Sequence, residues 1–307
     1  MARDEISKIQ GKYGIIGRRA ELAKALIAIK SRKHLLIEGN VGVGKTVLAE
    51  AISQHLNQKM YRIDGDERYS EQKLVGWFDP PLVMAKGYSK ETFIPGPLIE
   101  AMSNGGFLFI NELNRMPEGT QNVLLPAMDE GRATVPKIGH IEAKDGFTVI
   151  ATQNPEEYIG TSRLSEALKD RFVWIKLDYQ SEDEELEIVK KKARSKDPLL
   201  IQIAVDITRR TREDPLLRRG ASVRGAIDIV AIASNSLGRK INESTEATQT
   251  LQDAALMALT SKVEAREASG EKLEAILRQI VDEILAKDLH GSQAQPNETK
   301  KEHSPNF

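Results

Sequence analysis

Cysteine is absent from all 307 residues, which excludes disulfides and thiolate-held metals while leaving the redox compartment open. Neither sign of charge prevails. Lysine and arginine total 44 against 45 acids, a formal charge of −1, so the total gives no electrostatic reason for avid binding to nucleic acid or a membrane surface. A basic pore inside an oligomer could still hide within that neutral sum. Aromatic residues are scarce at 5%, which also weighs against a nucleic-acid module. No segment approaches the roughly 20 apolar residues that a membrane-spanning helix needs. The first residues, Met1 to Glu5, lack the apolar core of a signal peptide. What is present is an ordinary mixture, 40% hydrophobic and 29% charged, long enough for two domains. The expectation is a soluble cytoplasmic protein without membrane insertion.

Hydrophobic periodicity predicts a helix over residues 15–30, then a short buried strand at His34–Glu38 that ends on Gly39. Val47–Leu56 has helix-forming composition, and Met60–Ile63 reads as a strand. Between Gly76 and Pro97 the pattern breaks into Gly, Pro and aromatic residues, with hairpin strands expected near Leu82–Ala85 and Glu91–Ile94. Phe107–Ile110 is an unbroken apolar run, as in a parallel sheet covered on both faces. A helix is expected over Thr120–Met128, a second hairpin over Thr134–Asp145, and buried strands at Phe147–Thr152 and Phe172–Leu177. Strand alternating with helix over residues 1–178 predicts an α/β domain with a parallel sheet flanked by helices. Beyond Leu177 only helical patterns follow, at 181–195, 199–213, 222–240, 245–268 and 271–289. Residues 179–290 therefore form a smaller all-α domain, and the polar stretch 291–307 reads as a disordered tail.

Gly39, Asn40, Val41, Gly42, Val43, Gly44, Lys45 and Thr46 fit G-x-x-x-x-G-K-[ST], with a strand before and a helix after, and Val47 continues into that helix. Glycines let successive backbone N–H groups turn inward around phosphate oxygens, and the helix directs its positive end at them. Lys45 would reach the β- and γ-phosphates and the Thr46 hydroxyl would ligate Mg²⁺, so the motif predicts binding of ATP or ADP.

Hydrolysis also needs an oriented water. The strand Phe107–Ile110 runs into Asn111-Glu112, where Glu112 would polarise the attacking water and Asn111 stands at the position that anchors hydrated Mg²⁺. Asparagine keeps an acceptor oxygen there but lacks the charge of an aspartate. Asn154, at the end of the next buried strand, could bond both the γ-phosphate and the water; Asn154-Pro155 is also a common turn. Arg171 precedes another strand, as a helix-end cation or a phosphate contact. Arg224 lies in a helix's first turn, where the dipole opposes it, so it needs another partner such as a phosphate.

These phrases together resemble the AAA+ ATPases and, within them, the MoxR group of the helix-2-insert branch. The resemblance spans about residues 13–240, carried by Gly14–Arg18, Ile94–Leu98, Asn111–Pro117, Ala151–Pro155, Asp170–Phe172 and Gly220–Arg224. It implies a P-loop AAA+ core followed by a helical lid that moves against it, with inserts at about 74–97 and 132–146. Adenine would rest against Ile15 and Ile16. Asn154 would be the first sensor, Arg224 the second, and Arg171 the finger that reaches a neighbouring subunit's γ-phosphate in a homo-oligomer, typically a hexameric ring. The aspartate usual at the position of Asn111 is the one departure. Chaperone-like remodelling of a client protein, often one with a von Willebrand factor A domain, is the function that the resemblance implies. Three alternatives stand beside it: a weakly hydrolysing nucleotide-gated scaffold, an accessory ring ATPase of magnesium-chelatase or gas-vesicle type, and a DNA-acting motor, against which the balanced charge weighs.

Overall fold

The apolar runs Phe107–Ile110 and Thr148–Ala151 are buried at every residue, because both lie at the centre of a sheet covered on its two faces. The computed structural model describes residues 2–155, 164–193, 195–236, 245–266 and 272–290, and the chain divides after Gln180 into two compact units. The tail expected over 291–307 lies outside the described residues.

In the first unit, α1 (Ala2–Tyr13) and α2 (Arg19–Lys30) precede β1 (His34–Gly39), α3 (Lys45–His55) and β2 (Met60–Asp64). An excursion follows through α4 (Glu71–Val75), β3 (Gly76–Phe78), α5 (Pro80–Lys86) and β4 (Phe93–Pro95). The chain returns by α6 (Pro97–Asn104) to β5 (Phe107–Asn111), then a 3-10 turn at Leu113–Arg115, α7 (Glu118–Asn122) and α8 (Leu124–Asp129). The hairpin β6 (Arg132–Val135) and β7 (Gly139–Glu142) leads to β8 (Thr148–Gln153), α9 (Glu166–Lys169) and β9 (Phe172–Leu177).

Five strands make one sheet in the order β2-β5-β8-β1-β9, every pair parallel. All five therefore end at the same edge, which is where open α/β sheets place their ligand sites. Side chains alternate between faces along each strand. Leu35, Ile37, Phe107, Phe109 and Ile150 pack with α1, α2 and α3. Leu36, Leu108, Ile110, Val149 and Ala151 pack on the other face with α6 and α8. The edge strand β9 keeps Val173 and Trp174 exposed.

Two local expectations in the first unit need correction. Leu82–Ala85 is helical rather than extended, because Asp79 accepts a hydrogen bond from the Leu82 amide at 3.0 Å and Pro80 opens the helix. The excursion's ladder is instead Gly76–Phe78 against Phe93–Pro95. The helix expected over Thr120–Met128 divides at Val123 into α7 and α8, and α1 is an addition to the elements read from the sequence.

The second unit contains α10 (Glu182–Lys192), α11 (Pro198–Glu213), β10 (Leu217–Arg219), α12 (Val223–Ser236), α13 (Thr245–Leu259), β11 (Glu264–Ala265) and α14 (Leu273–His290). Its helices start where sequence chemistry says they should. Ser181 and Glu184 form a capping box, four acids fill the first turn of α10, and three lysines its last. Asp197 caps α11 ahead of Pro198. A core of Leu200, Ile203, Ile207, Ile229, Leu251, Leu277 and Ile280 joins α11, α12, α13 and α14. The helical pattern over 245–268 overshoots: α13 stops at Leu259, and the Val263 amide bonds back to the Leu259 carbonyl at 3.1 Å. Glu264–Ala265 then pairs antiparallel with β10, a short ribbon in the helical unit. Among the described residues no helix is long and apolar enough to cross a membrane.

Candidate functional site

The loop between β1 and α3 holds the glycine motif at the common edge of the sheet. Gly42 and Gly44 have φ of 81° and 94°, which turns their peptide groups in a way that L side chains resist. Gly39 is required by close approach: a Cβ there would lie 2.3 Å from the Leu177 carbonyl oxygen of β9. Lys45, in the first turn of α3, donates from Nζ to the carbonyls of Gly39 and Asn40 at 2.5 and 2.9 Å, so its ammonium sits over the loop. Val41 and Val47 are exposed, Val43 is buried beneath the loop, and Thr46 is half-buried.

Arg18 fastens this loop to the segment before α2. Its Nη2 donates to the Val43 carbonyl at 2.9 Å and to the Asp178 carbonyl at 2.6 Å, while Nη1 pairs with Glu21 at 3.0 Å. Ile15 is buried and Ile16 half-buried next to it, and the Ile16 carbonyl accepts from Gln180 at 2.7 Å. Arg18 closes the phrase Gly14–Arg18, yet nothing in the sequence points to this role. Its left-handed φ of 59°, with Gly17 at 66° just before it, is what folds the guanidinium back onto the loop.

The tips of β5 and β8 are joined by a row of hydrogen bonds. The Glu112 amide donates to Thr152 Oγ1 at 2.9 Å, and Thr152 Oγ1 donates to Asn111 Oδ1 at 3.0 Å. Asn111 Nδ2 then donates to Asp64 Oδ1 at 3.0 Å. Glu112 has φ of 58°, a sparsely populated conformation for a non-glycine residue of the kind that collects at functional sites. Its carboxylate pairs with Arg115 at 3.0 Å. Asn154 is buried, and the equally buried Asn114 lies with Nδ2 3.5 Å from the Asn154 carbonyl. Asn114 Oδ1 is a buried acceptor with no hydrogen-bond partner among the described residues. Below the loop, Gln153 donates to Glu38, which ties β8 to β1.

Arg62 holds the Asp64 carboxyl below the usual carboxylate range through two hydrogen bonds, at 2.8 and 3.2 Å, with the Asn111 contact adding to the effect. Thr152, Asn114 and Arg115 lie inside phrases read from the sequence but had no role assigned there, and Asp64 was not singled out. The signal for Thr152 and Asp64 was position: Thr152 lies one residue before the end of buried β8 and Asp64 ends the edge strand β2.

The structure thus brings Gly39–Val47, Asn111, Glu112 and Asn154 to one edge of one sheet. Arg171, immediately before β9, is engaged inside its own chain: Nη2 pairs with Asp129 at 2.6 Å and Nη1 donates to the Ala167 carbonyl at 2.5 Å. Arg224 belongs to the second unit, exposed in the first turn of α12. The oxygen donors Thr46 and Asn111 suit a hard cation such as Mg²⁺, and the glycine loop with Lys45 suits a phosphate chain.

Residues 34–172 match the family model for the AAA domain, dynein-related subfamily. The chain is 34% identical over 220 residues to an uncharacterized protein of Staphylococcus epidermidis, spanning 70% of this chain and 82% of that one. It is 32% identical over 237 residues to the uncharacterized protein YojN of Bacillus subtilis, spanning 74% and 77%. A solved structure of a Thermotoga maritima RuvB mutant is similar in fold, with a TM-score of 0.52 at 20% identity over 78% of this chain and 71% of that one.

Proposed function

The chain belongs to the AAA family, in its dynein-related subfamily, and from that premise we propose an ATP-hydrolysing ring subunit that remodels partner protein complexes, as in the MoxR group. The observation that carries the catalytic part is the row from Glu112 through Thr152 to Asn111, on the sheet edge that bears the phosphate loop. It gives the carboxylate of Glu112 a fixed backbone origin, which supports reading that residue as the base.

In this reading the loop amides and Lys45 hold the β- and γ-phosphates. Thr46 would ligate Mg²⁺, which when bound offsets charge on the phosphate oxygens, with Asn111 standing at the metal-anchoring position. Glu112 takes the proton of the attacking water and Asn154 orients that water. Arg171 serves a neighbouring subunit, and its role makes a ring, typically hexameric, part of the proposal. Arg224 is carried into the reading as second sensor by the MoxR resemblance. The excursion supports a protein client, such as one with a von Willebrand factor A domain. Trp77, Leu82, Met84 and Tyr88 are exposed there, Met84 by 90%, and exposed apolar groupings mark interaction surfaces. The test is Mg-dependent ATP turnover by the assembled chain. Lys45→Ala and Glu112→Gln are expected to abolish it, and wild-type turnover no higher than that of Glu112→Gln would overturn the enzymatic claim.

One observation favours a second reading, a nucleotide-gated scaffold with little turnover: the Glu112 carboxylate is already paired with Arg115. Under that reading Arg115→Ala raises turnover severalfold, whereas a working catalytic base gains nothing from the change.

A further inference from the structure

The acid usual at the metal-anchoring position of such sites is replaced by Asn111, yet a carboxylate stands beside it. Strands β2 and β5 pair in register, Asp64 opposite Asn111. Alternation places both side chains on the face that α3 covers. Arg62, two residues before Asp64, lies over the Phe109 ring at 5.9 Å and reaches Glu50 of α3 at 3.6 Å. Thr46 lies in the first turn of that same helix.

The orientation of the Asn111 amide is dictated by chemistry. A carboxylate only accepts, so the NH₂ must face Asp64, leaving Oδ1 for the Thr152 hydroxyl. The backbone locks the pair. The Gly65 amide donates to the Asn111 carbonyl at 2.7 Å, and a Cβ on Gly65 would stand 2.1 Å from the Glu112 carbonyl oxygen. Arg62 does not cancel the charge: it lies between two carboxylates, Glu50 and Asp64, so those three groups sum to one negative charge. The Asp64 side chain is 61% exposed and so is open to water-mediated contacts.

We propose that Asp64 supplies the negative charge that attracts hydrated Mg²⁺ to the bound nucleotide, and that Asn111 is a positioning residue holding Asp64 to Thr152. The acid has moved one strand towards the sheet edge. Asparagine follows from that move, because an aspartate at 111 would set two carboxylates about 3 Å apart, where like charges disfavour joint ionisation. This inference rests on the reading of Gly39–Thr46 as the ATP site.

The experiment is a MgCl₂ titration of fluorescent ATP-analogue binding to the full chain, with affinity in EDTA measured alongside. Asp64→Asn is expected to raise the half-saturating Mg²⁺ concentration by about tenfold or more, the scale of outer-shell effects on metal affinity, while affinity in EDTA is no weaker than that of wild type. The exchange Asp64→Asn with Asn111→Asp restores the wild-type requirement, and Asn111→Asp alone does not lower it. An unchanged Mg²⁺ requirement in Asp64→Asn, or a lowered one in Asn111→Asp alone, overturns the inference while the ATP site stands. A wild type that binds no nucleotide overturns both.

Discussion

Arg171 and Asp129 form an ion pair within one chain, Nη2 to Oδ2 at 2.6 Å, with the arginine side chain 26% exposed. A guanidinium that serves a neighbouring subunit must leave this contact, so Asp129 sets the cost of extending it. Asp129→Asn is expected to lower the protein concentration at which turnover per subunit saturates. Arg171→Ala loses turnover by roughly the 10³-fold or more that arginine fingers contribute, with nucleotide affinity retained. ATPase assays across protein concentration check both, and full activity in Arg171→Ala would remove the finger from the scheme.

Thr152 is wholly buried and both accepts from Glu112 and donates to Asn111. Thr152→Ala leaves an amide and an amide oxygen without their partner, a loss of about 1–3 kcal/mol in stability. Turnover falls with it, while Thr152→Ser, which keeps the hydroxyl, retains most of both. Equal behaviour of the two variants in denaturant unfolding and steady-state rate would show that the hydroxyl is immaterial.

Glu185 in α10 is buried and receives Arg212 at 2.8 Å and Arg209 at 3.1 Å from α11. Arg212 also donates from Nε to the Ala221 carbonyl at 2.7 Å, just ahead of α12 and Arg224. Glu185→Ala removes the buried acceptor that two guanidinium groups share, although Arg212 keeps the Ala221 carbonyl and Arg209 keeps Glu182 at 4.0 Å; breaking a buried pair costs up to about 3–5 kcal/mol. Chemical denaturation is expected to show that loss, together with a weaker effect in Arg209→Ala, whose side chain is more exposed than that of Arg212.

His34 gives the first unit a pH dependence. Burial is the main force pushing its pKa below the ordinary 6.5, with Lys33 adding to it and the Met128 carbonyl opposing. Its Nδ1 accepts from the Val149 amide at 2.9 Å, so protonation there breaks a bond between β1 and β8. A depressed folded-state pKa means that the unfolded chain binds more protons as pH falls through 6.5. The stabilising contribution is therefore complete above 6.5 and declines below it. Thermal unfolding between pH 7.5 and 5 should show wild type losing more stability than His34→Gln; parallel curves would count against this role.

Much of the core was legible because the buried strands β1, β5 and β8 are short apolar runs that end in polar residues, β1 running on into the glycine motif. The glycine loop between β1 and α3 was legible as a turn, since its left-handed positions are held by Gly42 and Gly44. The excursion was less so: Leu82–Ala85 has a strand-like apolar pattern, and the Asp79-Pro80-Pro81 start signal outweighs it. Asp64 and Thr152 were hidden because their importance arises from register. Only when β2, β5 and β8 lie side by side do Asp64, Asn111 and Thr152 become one hydrogen-bonded row. Arg115 and Asp129 were hidden likewise, as their meaning lies in what they hold.

The chain has two tryptophans, Trp77 and Trp174, and both are substantially exposed, by 46% and 55%. Its intrinsic fluorescence is therefore a surface reporter. Melting of the apolar core changes the surroundings of neither indole greatly, so emission colour is a poor gauge of unfolding. Covering of the β9 edge or of the excursion by another chain would dry one of them and shift its emission to the blue, giving a label-free optical readout of assembly.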